Sequence, residues 1–301
     1  MSRTLFVCNP SAGGGKAGRL KGRLQALCPE SRTGWIEAES AAAAGGRLRQ
    51  ALADPDVSRV VAVGGDGTLH GVAEVLLESG AADRTALAVV PAGTGSDFAR
   101  SLGIPRRLEK ALSLALTAEP RPVDAIAVET DSGKHGFCLN IASAGLSGAV
   151  DLAVNATGVH AKGVHGSYLL TTLKAVLAYR PVACRVLVDG EELVDGPFFV
   201  VAMANGRYFG QGMKVAPDAR LDDGLLDVVL VPPVPKWQLP VRLPQFLAGR
   251  HVRLSQVVVG RAREVRIEPP PGFFPYDLDG ETLDAEAATF RILPGALSFC
   301  F

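Results

Sequence analysis

The feature that most constrains this chain is an alternation that fills residues 1–122. Short apolar runs at Thr4–Cys8, Thr33–Glu37, Arg59–Val63 and Ala86–Val90 are separated by stretches with helical periodicity around Ala17–Leu27, Ser40–Ala53 and Leu69–Leu77. Strand, helix, strand, helix in this order predicts a parallel sheet with helices packed on its faces, because parallel neighbours need a long crossover between them. The breaks are chemically distinct. The first strand runs into Asn9-Pro10-Ser11-Ala12-Gly13-Gly14-Gly15-Lys16, the third into Gly64-Gly65-Asp66-Gly67-Thr68, and the fourth into Pro91-Ala92-Gly93-Thr94-Gly95-Ser96-Asp97.

From Val123 onward the rhythm changes. Short β-rich runs dominate (Ala125–Glu129, Cys184–Asp189, Phe198–Ala204, Leu225–Val231, Val257–Gly260, Glu264–Ile267, Phe290–Leu293), punctuated by Asp189-Gly190, Asp223-Gly224 and Asp279-Gly280. Such pairs favour tight hairpin turns. One amphipathic helix interrupts, and its stripe of Leu169, Leu170, Leu173, Val176 and Leu177 reads as a core-facing side. The expected fold is α/β: a parallel-sheet nucleotide-binding domain over 1–122, then a β-rich, sandwich-like domain over 123–301. The extreme C-terminus is expected to pack back on the first domain. A length of 301 residues fits two such domains.

Charge narrows the partners. Lys+Arg and Asp+Glu both number 31, so bulk attraction to nucleic acid is not expected. The five cysteines are scattered without a C-x-x-C pair, which gives zinc no framework and predicts inert thiols in a reducing compartment. No leader and no long apolar run appears, so a cytoplasmic protein is expected, with any membrane contact peripheral. The basic stretch 250–268 (Arg250, Arg253, Arg261, Arg263 and Arg266 against Glu264 and Glu268) is a candidate for that contact, although a solvated sheet face explains it as well.

In an open parallel sheet, ligands bind beyond the carboxyl ends of the strands. The three glycine-rich loops fall at that edge, where glycine lets backbone N–H groups approach phosphate and a helix N-terminus adds a favourable dipole. Ser11, Thr68 and Thr94 add hydroxyl donors and Lys16 a positive charge. Asp66 is the informative residue. A carboxylate inside a phosphate cradle repels the phosphates unless a cation lies between, which points to Mg²⁺ with a nucleotide. A Walker A loop is excluded, because Pro10 stands where its first glycine belongs and Ala17 where its Ser/Thr belongs. A dinucleotide fingerprint is equally poor: the following strand ends in Pro91-Ala92, without an acidic residue for a ribose.

These residues resemble the diacylglycerol kinase-like catalytic family, which includes bacterial diacylglycerol kinases, sphingosine kinases and ceramide kinases. The resemblance rests on Asn9-Pro10 with Gly13, on Gly64–Thr68, on Pro91-x-Gly93-Thr94-x-x-Asp97-Phe98-Ala99-Arg100, on Asn205-Gly206 with Gly210, on Ala216-Pro217-x-Ala219, and on Asp222-Asp223-Gly224-Leu225-Leu226. It implies an ATP- and Mg²⁺-dependent lipid kinase acting on a lipid such as diacylglycerol, its head group held in a cleft between the domains. ATP would be held by Asn9, Ser11, Gly13, Gly64, Gly65, Asp66, Gly67, Thr68 and Thr94. Ser40, with Glu39 beside it, would stand in for a nucleotide-contacting Thr. A structural Mg²⁺ would involve the Asp223 carboxylate and carbonyls near Arg220 and Leu225. Ser96 departs from the family's usual Asn. Asp-Gly-Glu occurs twice, at 189–191 and 279–281, and the two have the same local chemistry; family position makes Glu281 the general base. The rivals are another kinase with the same glycine-rich core, such as an NAD kinase, and a non-catalytic nucleotide-binding regulator.

Overall fold

The computed structural model describes residues 3–28, 32–38, 41–93, 95–157, 165–272 and 274–301. The chain forms two compact units, one of residues 1–124 with 294–301 and one of residues 125–293.

In the first unit, β1 (Arg3–Cys8), β2 (Thr33–Glu37), β3 (Val57–Gly64) and β4 (Ala86–Pro91) lie in the order β2-β1-β3-β4, every pairing parallel. The end of the last strand, β16 (Ala288–Cys300), runs parallel beside β4 with Phe299 opposite Leu87. The crossovers are helices α1 (Ala12–Leu27), α2 (Ala41–Ala51) and α3 (Asp66–Glu78); the short α4 (Asp97–Ser101) and then α5 (Leu108–Thr117) follow β4. All six residues of β4 are buried, as expected of a strand covered on both faces. Phe6, Leu24, Val61, Val63, Val90 and Leu112 share one core cluster. Phe6 is wholly buried and stacks on Trp35 with ring centroids 4.4 Å apart; burying such a side chain stabilises by about 1.5–3 kcal/mol.

The strand order positions the site. From β1 the chain moves to one side to make β2, then crosses back to make β3 on the other. The topological switch point therefore falls between β1 and β3, where ligands bind in folds of this kind.

The second unit is antiparallel. One sheet has the order β12 (Val258–Ala262), β11 (Leu226–Val231), β10 (Val200–Ala204), β7 (Ile141–Gly145), β14 (Pro275–Leu278), β15 (Glu281–Asp284). Opposite it, β13 (Glu264–Glu268) pairs with β8 (Ala183–Val188) and with Ala288–Arg291 of β16, while β8 pairs with β9 (Glu191–Pro197). The β5 strand (Pro120–Thr130) pairs with β6 (His135–Cys138) from Ile126 to Glu129. Inward residues of both layers (Ile126, Val186, Phe198, Met203, Val265, Tyr276, Phe290) form one cluster, which is the core of a sandwich.

Among the described residues, this unit also carries helices α6 (Leu146–Thr157), α7 (His165–Ala178) and α8 (Leu239–Leu247). The core-facing reading of α7 fails in part. Leu173 and Leu177 are 50% and 51% exposed, and the side chains of Leu169 and Leu170 lie outside the described residues. Among the described residues no helix is long and apolar enough to cross a membrane.

Candidate active site

The three glycine-rich loops meet at the carboxyl edge of the parallel sheet. After β1, the Asn9 side-chain carbonyl accepts the Ser11 N–H at 3.0 Å and its main-chain carbonyl accepts the Ala12 N–H at 3.0 Å, a local turn typical of Asn. Gly13, Gly14 and Gly15 then take φ values of 61°, 65° and 82°. The left-handed region costs roughly 1–2 kcal/mol for a residue with a side chain, which favours glycine at all three positions, and the right-handed helix starts only after them.

Neighbouring backbone sets a second demand. The Ala92 and Gly93 N–H groups both donate to the Gly64 carbonyl, at 2.7 and 3.1 Å. A Cβ on Gly13 would lie 2.1 Å from the Ala92 carbonyl oxygen, and one on Gly93 would lie 2.5 Å from the Gly65 Cα. Glycines 13, 65 and 93 thus let the loops touch one another. By contrast, Gly14, Gly15 and Gly67 have no such neighbour within 4 Å. The backbone left open to a ligand is at these positions, of which the sequence reading singled out only Gly67. Thr68 folds back onto its own loop, its Oγ1 2.3 Å from where a Gly64 Cβ would sit. Ser11 and Lys16 are exposed. Ser40 and Thr94 lie outside the described residues.

Asp66 is the first residue of α3, with Gly65 as its cap. Its carboxylate oxygens accept the N–H groups of Asp97 and Phe98 at 3.1 and 3.2 Å. The N-termini of α3 and α4 therefore both face this one negative charge, which suits the helix dipole. A carboxylate offers about four acceptor positions, so the two N–H bonds and a Mg²⁺ are compatible on one group. The first-turn amides of α3 have no partner within their own helix. Next to this, Ser96 is buried at φ 52° and its Oγ has no hydrogen-bond partner. The family's usual Asn tolerates left-handed backbone better than Ser does.

In the second unit both Asp-Gly-Glu segments are hairpin turns, with positive φ at Asp189 and Gly190 and at Asp279 and Gly280. Each Asp clamps other backbone. Asp189 Oδ1 accepts the N–H groups of Arg263 and Glu264, both at 2.9 Å. Asp279 accepts those of Leu139, Asn140 and Ile141 at 2.7, 3.0 and 3.1 Å. Their surroundings differ. Glu191 and Glu281 are both exposed, but the turn before Glu281 rests on a buried polar network, which among the described residues has no counterpart around the first turn.

That network centres on Asp277, which is wholly buried. It accepts the Gly280 N–H at 2.7 Å and the Ser143 hydroxyl at 2.9 Å, and Ser143 also reaches Ser147 at 2.8 Å. Burial, followed by the charge and hydrogen bond of Asp151 on α6, pushes the Asp277 carboxyl well above the usual carboxylate range. Nearby, the Asn205 amide donates to the Leu139 carbonyl at 2.7 Å and that of Asn140 to the Tyr208 carbonyl at 2.8 Å. The sequence reading flagged Asn205 within a motif but missed Asp277, Asp151, Ser143 and Asn140. The only local cue was a second acidic residue two places before Asp279.

The Asp222-Asp223-Gly224 segment precedes β11. Asp223 Oδ1 accepts the Leu225 N–H at 3.2 Å, and Arg220 pairs with Asp222 at 3.4 Å. Asp223 Oδ2 and Asp227 Oδ2 are buried without a hydrogen-bond partner. Arg261 approaches both residues, at 3.4 and 3.6 Å. Burial raises the Asp227 pKa against the opposing pull of Arg261, and Asp223 and Asp218 raise it further. Arg261 therefore already supplies a positive charge to this pair, and among the described residues no group of three or more His, Cys, Asp or Glu is placed to hold a metal ion.

Comparison with known proteins agrees with this architecture. Residues 3–128 match the diacylglycerol kinase catalytic domain, and residues 140–301 the YegS C-terminal NAD kinase beta sandwich-like domain. A relative from Stenotrophomonas maltophilia named "Probable lipid kinase YegS-like" is 34% identical over 250 residues, covering 80% of this chain and 78% of its own. One of the same name from Pseudomonas aeruginosa is 37% identical over 241 residues, covering 79% and 74%. The crystal structure of a diacylglycerol kinase from Bacillus anthracis superposes with a TM-score of 0.73 at 19% identity, covering 100% of this chain and 97% of that one. At that identity it speaks for the fold.

Proposed function

Because the chain belongs to the YegS-like lipid kinase family, with its diacylglycerol kinase catalytic domain, we propose that it is an ATP- and Mg²⁺-dependent lipid kinase. It transfers the γ-phosphate of ATP to a hydroxyl of a lipid alcohol such as diacylglycerol. The observation that carries this reading is the meeting of three loops at the switch point, where the N-termini of α3 and α4 face the Asp66 carboxylate and glycine backbone is left open in two of the loops.

In this reading the 9–15 turn and the 64–68 loop hold the nucleotide phosphates. Backbone N–H groups act as donors, Asn9 fixes the turn, and Ser11 and Thr68 lend hydroxyls. Thr94 and Ser40 join them by family position. Asp66 is the metal anchor, and the amides of Asp97 and Phe98 fix its orientation. A Mg²⁺ held there with the nucleotide would supply charge neutralisation at the transferring phosphoryl group, where most catalysis of this reaction comes from positioning and electrostatics. Glu281 accepts the proton of the attacking hydroxyl, a role typically worth about 10²–10⁴-fold. The hairpin and its Asp277 support hold Glu281 in place. By family position, the Asp223 carboxylate with the carbonyls of Arg220 and Leu225 would hold a second, structural Mg²⁺.

Replacing each Glu by Gln separates the two turns, since Gln keeps shape and removes basicity. Glu281→Gln is expected to keep ATP and lipid affinity and to lose most of kcat. Glu191→Gln is expected to stay within about 0.5 kcal/mol of wild-type stability and to keep full activity. The opposite pattern would overturn the assignment of the base.

A further inference from the structure

Helix α8 is apolar on the wrong side. Its inward positions include Leu239 and Phe246, which pack against the sheet core, but also both of its polar residues. Arg242 and Gln245 are partly buried, and the Arg242 guanidinium bonds Gln245 at 3.3 Å and Gln238 at 3.5 Å. The outward positions Val241, Leu243, Pro244, Leu247 and Ala248 are all exposed and all apolar. An ordinary surface helix shows the reverse pattern. Trp237, immediately before the helix, is 76% exposed, the largest value among the described large apolar side chains that are exposed.

The neighbouring helix extends this surface. The Lys236 ammonium donates to the Leu177 carbonyl in the last turn of α7, which brings the exposed Leu173 and Leu177 alongside. The charge here is all of one sign. Residues 165–182 and 232–255 contain Lys174, Arg180, Lys236, Arg242, Arg250 and Arg253 but no Asp or Glu, although 31 of 301 residues in the chain are acidic. The basic stretch 250–268 competes poorly as a contact surface, because Arg261 is engaged by Asp223 and Asp227 and Arg266 by Asp131 and Glu268.

We propose that α8, with Trp237 and the exposed end of α7, is the surface by which this chain docks on an anionic lipid bilayer. Trp237, Val241, Leu243 and Leu247 enter the boundary between head groups and acyl chains, while Lys174, Arg180 and Lys236 meet lipid phosphates. A short helix with an aromatic residue and aliphatic side chains outward and basic residues around it has the chemistry of an interfacial anchor. A protein partner with an acidic rim is the competing occupant, but α8 offers it only aliphatic surface, without outward hydrogen-bonding groups. The docking surface stands on this geometry alone; its use, bringing the enzyme to a membrane-resident substrate, rests on the lipid kinase reading.

The test uses the intact protein with vesicles of phosphatidylcholine alone or mixed with phosphatidylglycerol. Trp237 is one of two tryptophans, and the other, Trp35, stacks on Phe6 in the first unit. Emission from Trp237 is expected to shift to the blue and to be quenched by brominated acyl chains when anionic vesicles are added, with the affinity falling as salt rises. Leu243→Ser with Leu247→Ser is expected to weaken vesicle binding on the order of tenfold or more. The same variant should leave unchanged the rate on a short-chain, water-soluble lipid alcohol. Absence of the shift and quenching, equal binding to neutral vesicles, or vesicle-independent self-association abolished by the double variant would each overturn the proposal. Vesicle binding without phosphorylation of any lipid would uphold the docking surface and defeat the kinase reading instead.

Discussion

Replacing Gly13 and Gly14 one at a time by Ala separates two demands that the first loop makes on glycine. The two residues have nearly the same backbone, φ 61° and 65°, so Ala pays the same left-handed penalty of roughly 1–2 kcal/mol at either. A smaller unfolded-state entropy returns about 0.4–1 kcal/mol of that. At Gly14 nothing further is lost, because the new methyl meets no atom within 4 Å. At Gly13 the methyl would sit 2.1 Å from the Ala92 carbonyl oxygen, so one loop must retreat from the other. Overpacking of this kind adds about 1–3 kcal/mol. Gly14→Ala should therefore cost about 1 kcal/mol and Gly13→Ala about 2–4 kcal/mol. Urea unfolding followed by Trp35 emission in a Trp237→Phe background reads the first unit alone, since the sequence has only these two tryptophans. Isothermal titration with ATP gives the matching loss of affinity. Equal destabilisation by the two substitutions would refute the argument that loop-to-loop contact, rather than backbone conformation, makes Gly13 indispensable.

Two further outcomes follow from carboxylates. Asp66→Asn replaces one accepting oxygen with an NH₂ that faces a backbone N–H, which should cost about 1.5–3 kcal/mol in denaturant unfolding; phosphoryl transfer should fall by orders of magnitude, and near-normal turnover at ordinary Mg²⁺ would remove the metal role. Asp277 has a folded-state pKa above its unfolded value, so the native state binds the extra proton and stability falls as pH rises from the unfolded pKa near 4 toward the raised one. Asp277→Asn should flatten that decline, which chemical denaturation at a series of pH values will read; an unchanged slope would place the titrating group elsewhere.

The sheet was legible because its signals are local. Apolar runs such as Val60–Val63 and the glycine punctuation after them carry period and boundary together, and β2 falls at Thr33–Glu37, where the run predicts it. The left-handed Gly13–Gly15 turn was visible only as a loop, since composition does not say which glycine is open and which abuts another chain segment. Long-range pairing was illegible. The partners of Asp66 lie 31 and 32 residues away, and Asp277 meets Ser143 across 134 residues, distances over which no pattern in one sequence speaks. Helix α8 was not read from the sequence at all, because Pro240 and Pro244 interrupt its run. Its outward aliphatic face appears only once Leu239 and Phe246 are seen on the core.

The most direct test of the central claim is transfer of label from γ-labelled ATP. The purified protein is incubated with Mg²⁺ and, in separate mixed-micelle reactions, with diacylglycerol, sphingosine and phosphatidylglycerol, with NAD⁺ tested alongside. The account predicts label in the lipid extract of at least one reaction, dependent on Mg²⁺ and absent for Glu281→Gln. Label in NADP⁺ with none in any lipid, or tight ATP binding with no transfer to any acceptor, would contradict it.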